Sequence, residues 1–374
     1  MLKEMSNCSV TEKNRVELAD KTVLITGGAG FIGANLAIRL VSDKAIIKNG
    51  KVLSIDNLND YYDVRLKEYR QTQIEETARK SNVYYEFIKG NIADKLLIEA
   101  VFQKYKPDIV VNLAAQAGVR YSIDHPDVYI ESNIIGFYNI LEACRHSYDG
   151  GEKGVEHLVY ASSSSVYGGN EKVPFSTSDK VDNPVSLYAA TKKSNELLAH
   201  CYSKLYDIPA TGLRFFTVYG PAGRPDMFYY SATQKLIKGE SIKIFNYGNM
   251  KRDFTYIDDI VEGTFRVMQG APCKKAGTDG LPIAPHAIYN IGGGTPENLL
   301  AFISTLQEEL VRTHILPTDY DFEAHRELVG MQPGDVPVTY ADCKDLESDY
   351  EFRPKTDIQT GLRRFCEWYK KYYG

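Results

Sequence analysis

The stretch TVLITGGAGFIG, Thr22–Gly33, constrains this chain more than any other. Thr22–Thr26 is apolar and β-branched, as a buried strand requires. Gly27, Gly30 and Gly33 follow at three-residue spacing, and Phe31, Leu36 and Leu40 then recur at helical intervals through Ser42. In a strand–turn–helix of this kind the first glycine allows a tight turn. The second lets backbone approach a pyrophosphate, and the third lets helix and strand pack closely. The helix N-terminus then faces the phosphates. Glycines at this spacing also make plain turns, so the reading rests on context. That context includes an acid, Asp56, 23 residues after Gly33. A carboxylate at the end of a second strand accepts hydrogen bonds from ribose hydroxyls and repels a 2′-phosphate, favouring NAD over NADP. The competing reading of Asp56 is a turn-forming residue before Asn57.

Further strands are expected at Lys51–Asp56, Val83–Ile92, Ile109–Ala115, His157–Ser163 and Pro209–Phe216, with helical stretches between them. Continuous apolar strands alternating with helices imply a parallel sheet covered on both faces. The expected fold is α/β: a Rossmann-type doubly wound parallel sheet with a smaller C-terminal α/β substrate domain. The expected divisions are a loosely held tail over residues 1–20, a dinucleotide-binding domain over 21–213, and a substrate domain over 214–374. Ala287–Gly294 reads as a strand returning to the first sheet, and Ala271–Pro285 as an exposed insertion loop.

The net charge of -5 lacks the basic excess of a nucleic-acid binder. The first 20 residues lack the apolar core of a signal peptide, and no segment has the length of a membrane span. A cytoplasmic protein without membrane or nucleic-acid partners is expected. Six cysteines, none within four residues of another, offer no zinc spacing and read as isolated, mostly buried thiols. No metal is expected.

Tyr188 and Lys192 form a YxxxK pair on a helical stretch whose apolar stripe is Leu197, Leu198, Cys201 and Leu205. Four-residue spacing places phenol and ammonium on one face. A tyrosine titrates near ~10 unperturbed, so a nearby lysine charge and the nicotinamide charge of NAD are expected to favour the phenolate. Upstream lies YASSSSVYGG, Tyr160–Gly169, a row of four serines without an acid.

With TGGAGFIG, Asp56–Leu58, NLAAQAGV, SSSSVYG, YxxxK and RDFTYIDD in place, the chain resembles the extended short-chain dehydrogenase/reductase family over about Lys21–Trp368. The resemblance implies a Ser163–Tyr188–Lys192 catalytic set acting on a nucleotide sugar, Ser163 holding the sugar 4-hydroxyl beside Tyr188. It implies NAD contacts from Gly27, Gly30, Phe31, Ile32, Gly33, Asp56, Asn57, Asn91, Ile92, Leu113, Ala114, Ala115, Asn133, Ser162, Tyr188, Lys192 and Phe215. A homodimer through a four-helix bundle that includes the Tyr188 helix is likewise implied.

The serine row narrows the chemistry. Sugar 4,6-dehydratases of this family place Asp and Glu after the catalytic hydroxyl, and nucleotide-uronate decarboxylases keep Glu before VYG. Ser164 and Ser165 stand there instead, so general-acid chemistry at that spot is missing. Asp56–Arg70, Ala114–Pro126, Arg214–Met227 and Met331–Asp342 further resemble UDP-glucuronate 4-epimerases. That resemblance implies that Thr217, Arg224, Ser164 and Ser165 surround the uronate carboxylate. It also implies that Arg252 meets the diphosphate and Asp335 the uridine ribose, with Phe245 or Tyr247 flanking the uracil. UDP-glucose 4-epimerases carry Asn and Pro at Thr217 and Val218. Other 4-epimerases often carry a phosphate-binding Arg where Gln332 stands. The reaction implied is 4-epimerisation of UDP-glucuronate to UDP-galacturonate through a 4-keto sugar. A neutral UDP-sugar 4-epimerase and a UDP-glucuronate decarboxylase are the alternatives.

Overall fold

The computed structural model describes residues 14–332 and 335–374. The glycine stretch folds as its pattern requires: strand β1 (Thr22–Thr26), then helix α1 (Phe31–Val41). The alternation continues through β2 (Lys51–Asp56), α2 (Val64–Ser81), β3 (Tyr84–Lys89), α3 (Lys95–Tyr105) and β4 (Ile109–Asn112). It closes with α4 (Gly136–His146), β5 (His157–Ser163), α5 (Leu187–Tyr206) and β6 (Ala210–Phe215).

Beyond β6 the elements shorten: β7 (Thr217–Tyr219), α6 (Phe228–Ile237), β8 (Lys251–Tyr256) and α7 (Ile257–Met268). Then come β9 (His286–Ile291), β10 (Pro296–Asn298), α8 (Leu299–Arg312) and α9 (Ile358–Tyr373).

Seven strands form one parallel sheet in the order β9-β6-β5-β4-β1-β2-β3. Strand order reverses between β1 and β4, which opens a crevice at their carboxyl ends. Val23, Leu24 and Ile25 are fully buried, each contributing roughly 1.5–3 kcal/mol. Apolar side chains on both faces explain why β1 reads as a continuous run rather than an alternation. The strand read at Ala287–Gly294 forms as β9, paired in parallel with β6. Strand β6 runs across the expected domain boundary at residue 213, and Arg214 lies inside the sheet. A three-stranded sheet, in the order β10-β8-β7, forms from the elements beyond β6.

Two expectations need correction. The expected tail is docked from residue 14: Asn14–Arg15 pairs antiparallel with Gly270–Ala271, and Val16 and Leu18 are buried. Alternating apolar residues hold this edge in place; residues 1–13 of that tail lie outside the described residues. Cys144, Cys201, Cys343 and Cys366 are free, but Cys273 is disulfide-bonded. Spacing along a chain excludes CxxC chemistry without excluding long-range pairing. The Ala271–Pro285 segment carries a short hairpin, Lys275–Ala276 with Pro282–Ile283, exposed at Leu281 and Ile283. Among the described residues no helix is long and apolar enough to cross a membrane, and no group of His, Cys, Asp or Glu is placed to hold a metal.

Candidate active site

A cleft of about 840 Å³ runs from the glycine loop, past the ends of β4 and β5, to the loops beside β7 and β8. This volume is in the range of small-molecule sites.

The cofactor end is built mainly from backbone. Gly27 adopts φ +71°, and a Cβ there would lie 2.7 Å from the Ala114 amide nitrogen. A Cβ on Gly33 would lie 2.2 Å from the Gly27 carbonyl oxygen. Both positions therefore exclude a side chain, and α1 meets β1 with its N-terminus open to the cleft. No side chain caps α1 at Gly30, so its first amides are left for an anion. Asp56 ends β2, with Oδ2 accepting from Ala29 N at 3.1 Å and Oδ1 from Leu58 N at 2.9 Å. The turn-forming reading of Asp56 thus holds together with the ribose reading. Each oxygen has a second lone pair for a hydroxyl. This cradle fits a dinucleotide.

Gly27, Gly30, Phe31, Ile32, Gly33, Asp56, Asn57, Asn91, Ile92, Leu113, Ala114, Ala115, Ser162 and Phe215 all line the cleft. Asn133 does not. It is 1% exposed, accepts from Gln116 N at 2.8 Å, and donates to Gln116 O and Thr191 Oγ1, both at 3.0 Å. It braces the loop after β4 against α5. Asn91 is also engaged, donating to Glu131 Oε1 at 2.9 Å.

The serine row divides by strand alternation. Ser162 points away from the cleft and donates to Glu196 Oε1 at 2.7 Å, so only the rest of the residue faces a cofactor. Glu196 is held by a bidentate pair from Arg214, at 2.8 and 2.9 Å. Ser163 points into the cleft. Its Oγ accepts from Ser165 N at 3.1 Å, capping the tight turn Ser164–Tyr167. Ser164 and Ser165 line the same wall.

Tyr188 and Lys192 rise from α5, whose first turn is capped by Ser186 accepting from Ala189 N. Lys192 is 3% exposed and donates to the Ala161 carbonyl at 3.0 Å. Burial pulls its ammonium down to about 8. The Tyr188 phenol is raised by burial, opposed by its hydrogen bond with Ser163 and by the Arg224 charge. The expected lowering by Lys192 is not among the influences on Tyr188, because the ammonium is desolvated and committed to β5.

At the substrate end Ser163, Ser164, Ser165, Thr217, Arg224, Phe245, Arg252 and Asp335 line the cleft. Arg224 is bidentate to Asp226, with Nε to Oδ1 at 3.0 Å and Nη2 to Oδ2 at 2.5 Å. Arg252 Nη1 donates to the Lys251 and Pro337 carbonyls. Burial lowers its guanidinium; the Asp335 charge opposes this and the Arg120 charge adds to it. Tyr247, read as a uracil neighbour, is 65% exposed and stands off the cleft lining, because the chain turns left-handed at Asn246 and Tyr247.

Sequence reasoning missed Arg120, which pairs with Asp335 at 3.1 Å and lies over the Phe245 ring at 4.7 Å. It also missed Asp226. No local pattern marks either one, since both act through residues brought close only by folding. The sole clue was their place within Ala114–Pro126 and Arg214–Met227, two of the stretches that carry the resemblance.

The sequence model of the NAD dependent epimerase/dehydratase family matches residues 23–292. Protein CapI of Staphylococcus aureus is 49% identical over 358 residues, covering 94% of this chain and 99% of that protein. UDP-glucuronate 4-epimerase 2 of Arabidopsis thaliana is 42% identical over 358 residues, covering 94% of this chain and 76% of that protein. A solved UDP-glucuronic acid 4-epimerase from Bacillus cereus, in complex with UDP-glucuronic acid and NAD, superposes with a TM-score of 0.77 at 30% identity. That match covers 94% of this chain and all of the other.

Proposed function

The chain belongs to the NAD dependent epimerase/dehydratase family, and from that premise we propose that it interconverts UDP-glucuronate and UDP-galacturonate. The carrying observation is the cleft wall itself: Tyr188, Ser163, Ser164 and Ser165 share it with Arg224, and no carboxylic acid follows Ser163.

NAD, when bound, accepts the C4 hydride, returns it later, and carries a ring charge that favours the Tyr188 phenolate. Tyr188 takes the proton of the 4-hydroxyl, which Ser163 holds in line. Lys192, anchored on Ala161, sets the height of α5 against β5. The resulting 4-keto sugar turns about its link to the diphosphate, which Arg252 grips together with Arg120. Tyr188 then returns the proton as the opposite face is reduced.

The 4-ketone makes the C6 carboxylate part of a β-keto acid, which can lose carbon dioxide. Arg224, Thr217 and the hydroxyls of Ser164 and Ser165 hold that carboxylate away from alignment with the ketone π-system. They also offer no acid to C5. This reading is supported by the Arg224 guanidinium, which lines the cleft with Tyr188 and is held there by Asp226. Initial rates with UDP-glucuronate and UDP-glucose test it. A preference of about 10²-fold or more for the uronate is expected, the value of one desolvated charge-assisted pair. Equal rates would sink it.

The protein works as a cytoplasmic homodimer supplying a surface-polysaccharide precursor in this proposal. The dimer is supported by an exposed apolar surface on adjacent helices: Tyr138 on α4, Ile130 and Ile135 just before it, and Leu197 and Leu205 on α5. Leu197, Cys201 and Leu205 of the stripe read on α5 therefore point outward, while Leu198 packs against the core and Lys192, Asn195 and Glu196 point inward. Light scattering should give twice the 42.1 kDa chain mass, and a monomer at micromolar concentration contradicts the dimer.

A further inference from the structure

Arg70 lies on α2, within the segment that follows the acid-bearing strand β2. It is 2% exposed, and all five of its N–H groups meet oxygens. Nη1 donates to the Ala29 carbonyl at 3.0 Å and to Tyr62 Oη at 2.7 Å. Nε and Nη2 donate to the Ala222 carbonyl at 2.9 and 2.7 Å, and Nη2 also to Gly223 O at 2.9 Å. None of these acceptors is a carboxylate. A buried guanidinium is tolerable here because oriented carbonyl dipoles saturate its planar fork.

The acceptors belong to two loops that do opposite jobs. Ala29 is in the glycine loop, and its amide is the one bound to Asp56. Ala222 and Gly223 immediately precede Arg224. Ala222 sits at φ +52°, a conformation uncommon for a residue with a Cβ. The preceding tyrosine adds a second tie: Tyr61 Oη donates to Asp226 Oδ2 at 3.3 Å, on the carboxylate that holds Arg224.

We infer that Arg70 is a positioning residue that locks the 220–226 loop, and Arg224 with it, to the glycine loop. This rests on the proposed role of Arg224 toward the uronate. The chemistry gives the lock a purpose. C4 must meet the cofactor twice, from opposite faces, while the carboxylate two bonds away is caught each time. A fixed spacing between the cofactor loop and the carboxylate anchor sets where C4 stands in both poses. A lysine at position 70 would present a point charge rather than a fork and could not span both loops.

The test is a double-mutant cycle of Arg70→Lys and Arg224→Lys, read as the Kd for UDP-glucuronate by calorimetry, together with the NAD release rate of each purified holoprotein. Arg70→Lys should release NAD at least about fivefold faster and weaken UDP-glucuronate binding about tenfold. Adding Arg224→Lys to it should then weaken binding by much less than Arg224→Lys does alone. An additive cycle overturns the inference whatever the release rate, and so does an unchanged release rate. A wild-type protein that binds UDP-glucuronate without converting it refutes the epimerase reading and leaves the cycle readable. One that does not bind it overturns both. Should Arg70→Lys fail to fold, Tyr62→Phe removes a single bond and should move both readouts about twofold in the same direction. No movement there overturns the inference equally.

Discussion

The two ends of the cleft are built from different material. The cofactor end is backbone: a glycine turn, an uncapped helix N-terminus, and one carboxylate fixed by two amides. The substrate end is side chains on loops, with Arg224, Arg252, Arg120 and Asp335 arriving from segments more than a hundred residues apart in part. Backbone geometry demands particular residues at particular spacings and therefore leaves a motif. Side-chain geometry depends on what folding brings near, and a loop arginine looks the same whether or not it grips a ligand.

The catalytic helix stands at the junction of the two ends, so its loss should be felt most. Tyr188→Phe is expected to reduce turnover about 10³- to 10⁴-fold while NAD content and melting temperature stay near wild type. A residual rate within tenfold of wild type would move the proton transfer to another group. Arg224→Met tests whether the substrate end is separable. UDP-glucuronate kcat/KM should drop about 10²-fold, with NAD retention unchanged. Equal loss of both would mean that Arg224 acts on the cofactor end itself rather than on the carboxylate.

Lys192 contributes in the opposite sense to stability. Its folded-state pKa of about 8 lies below the ordinary 10.5. Below pH 8 both folded and unfolded states are protonated, and the folded state bears the burial cost. Between pH 8 and 10.5 the unfolded state binds more protons, so this group makes stability rise with pH. NAD-free Lys192→Met should therefore exceed wild type by about 1–3 kcal/mol in urea unfolding at pH 7. The gap should narrow toward pH 10, and a gap that widens contradicts the burial account. The smallest effect belongs to the serine row. Ser165→Ala should leave epimerisation within about threefold, as expected for one neutral hydrogen bond, while a pentose by-product appears. An unchanged product ratio removes the carboxylate role from Ser164 and Ser165.

The same contrast explains how much was legible. The strands at Thr22–Thr26, Lys51–Asp56 and His157–Ser163 follow from apolar runs that a parallel sheet must bury. Lys192 and Tyr188 follow from helical spacing. Asn133 was misread because its amide serves Gln116 and Thr191, contacts with no sequence signature. Tyr247 was misread because a left-handed turn swings it outward. Ser162 was half legible: its place at the strand end was clear, but the Glu196–Arg214 pair beneath it exists only once α5 packs on β6. Burial of Val16 and Leu18 needed the edge at Gly270–Ala271, some 250 residues on.

The central claim is that C4 is oxidised and re-reduced in a site with no carboxylic acid beside Ser163, and proton NMR in deuterium oxide tests it most directly. UDP-glucuronate incubated with the protein and NAD, without added reductant, should give UDP-galacturonate that keeps protium at C4 and C5, with no pentose formed. Deuterium at either carbon, or a UDP-pentose as the main product, would contradict the account.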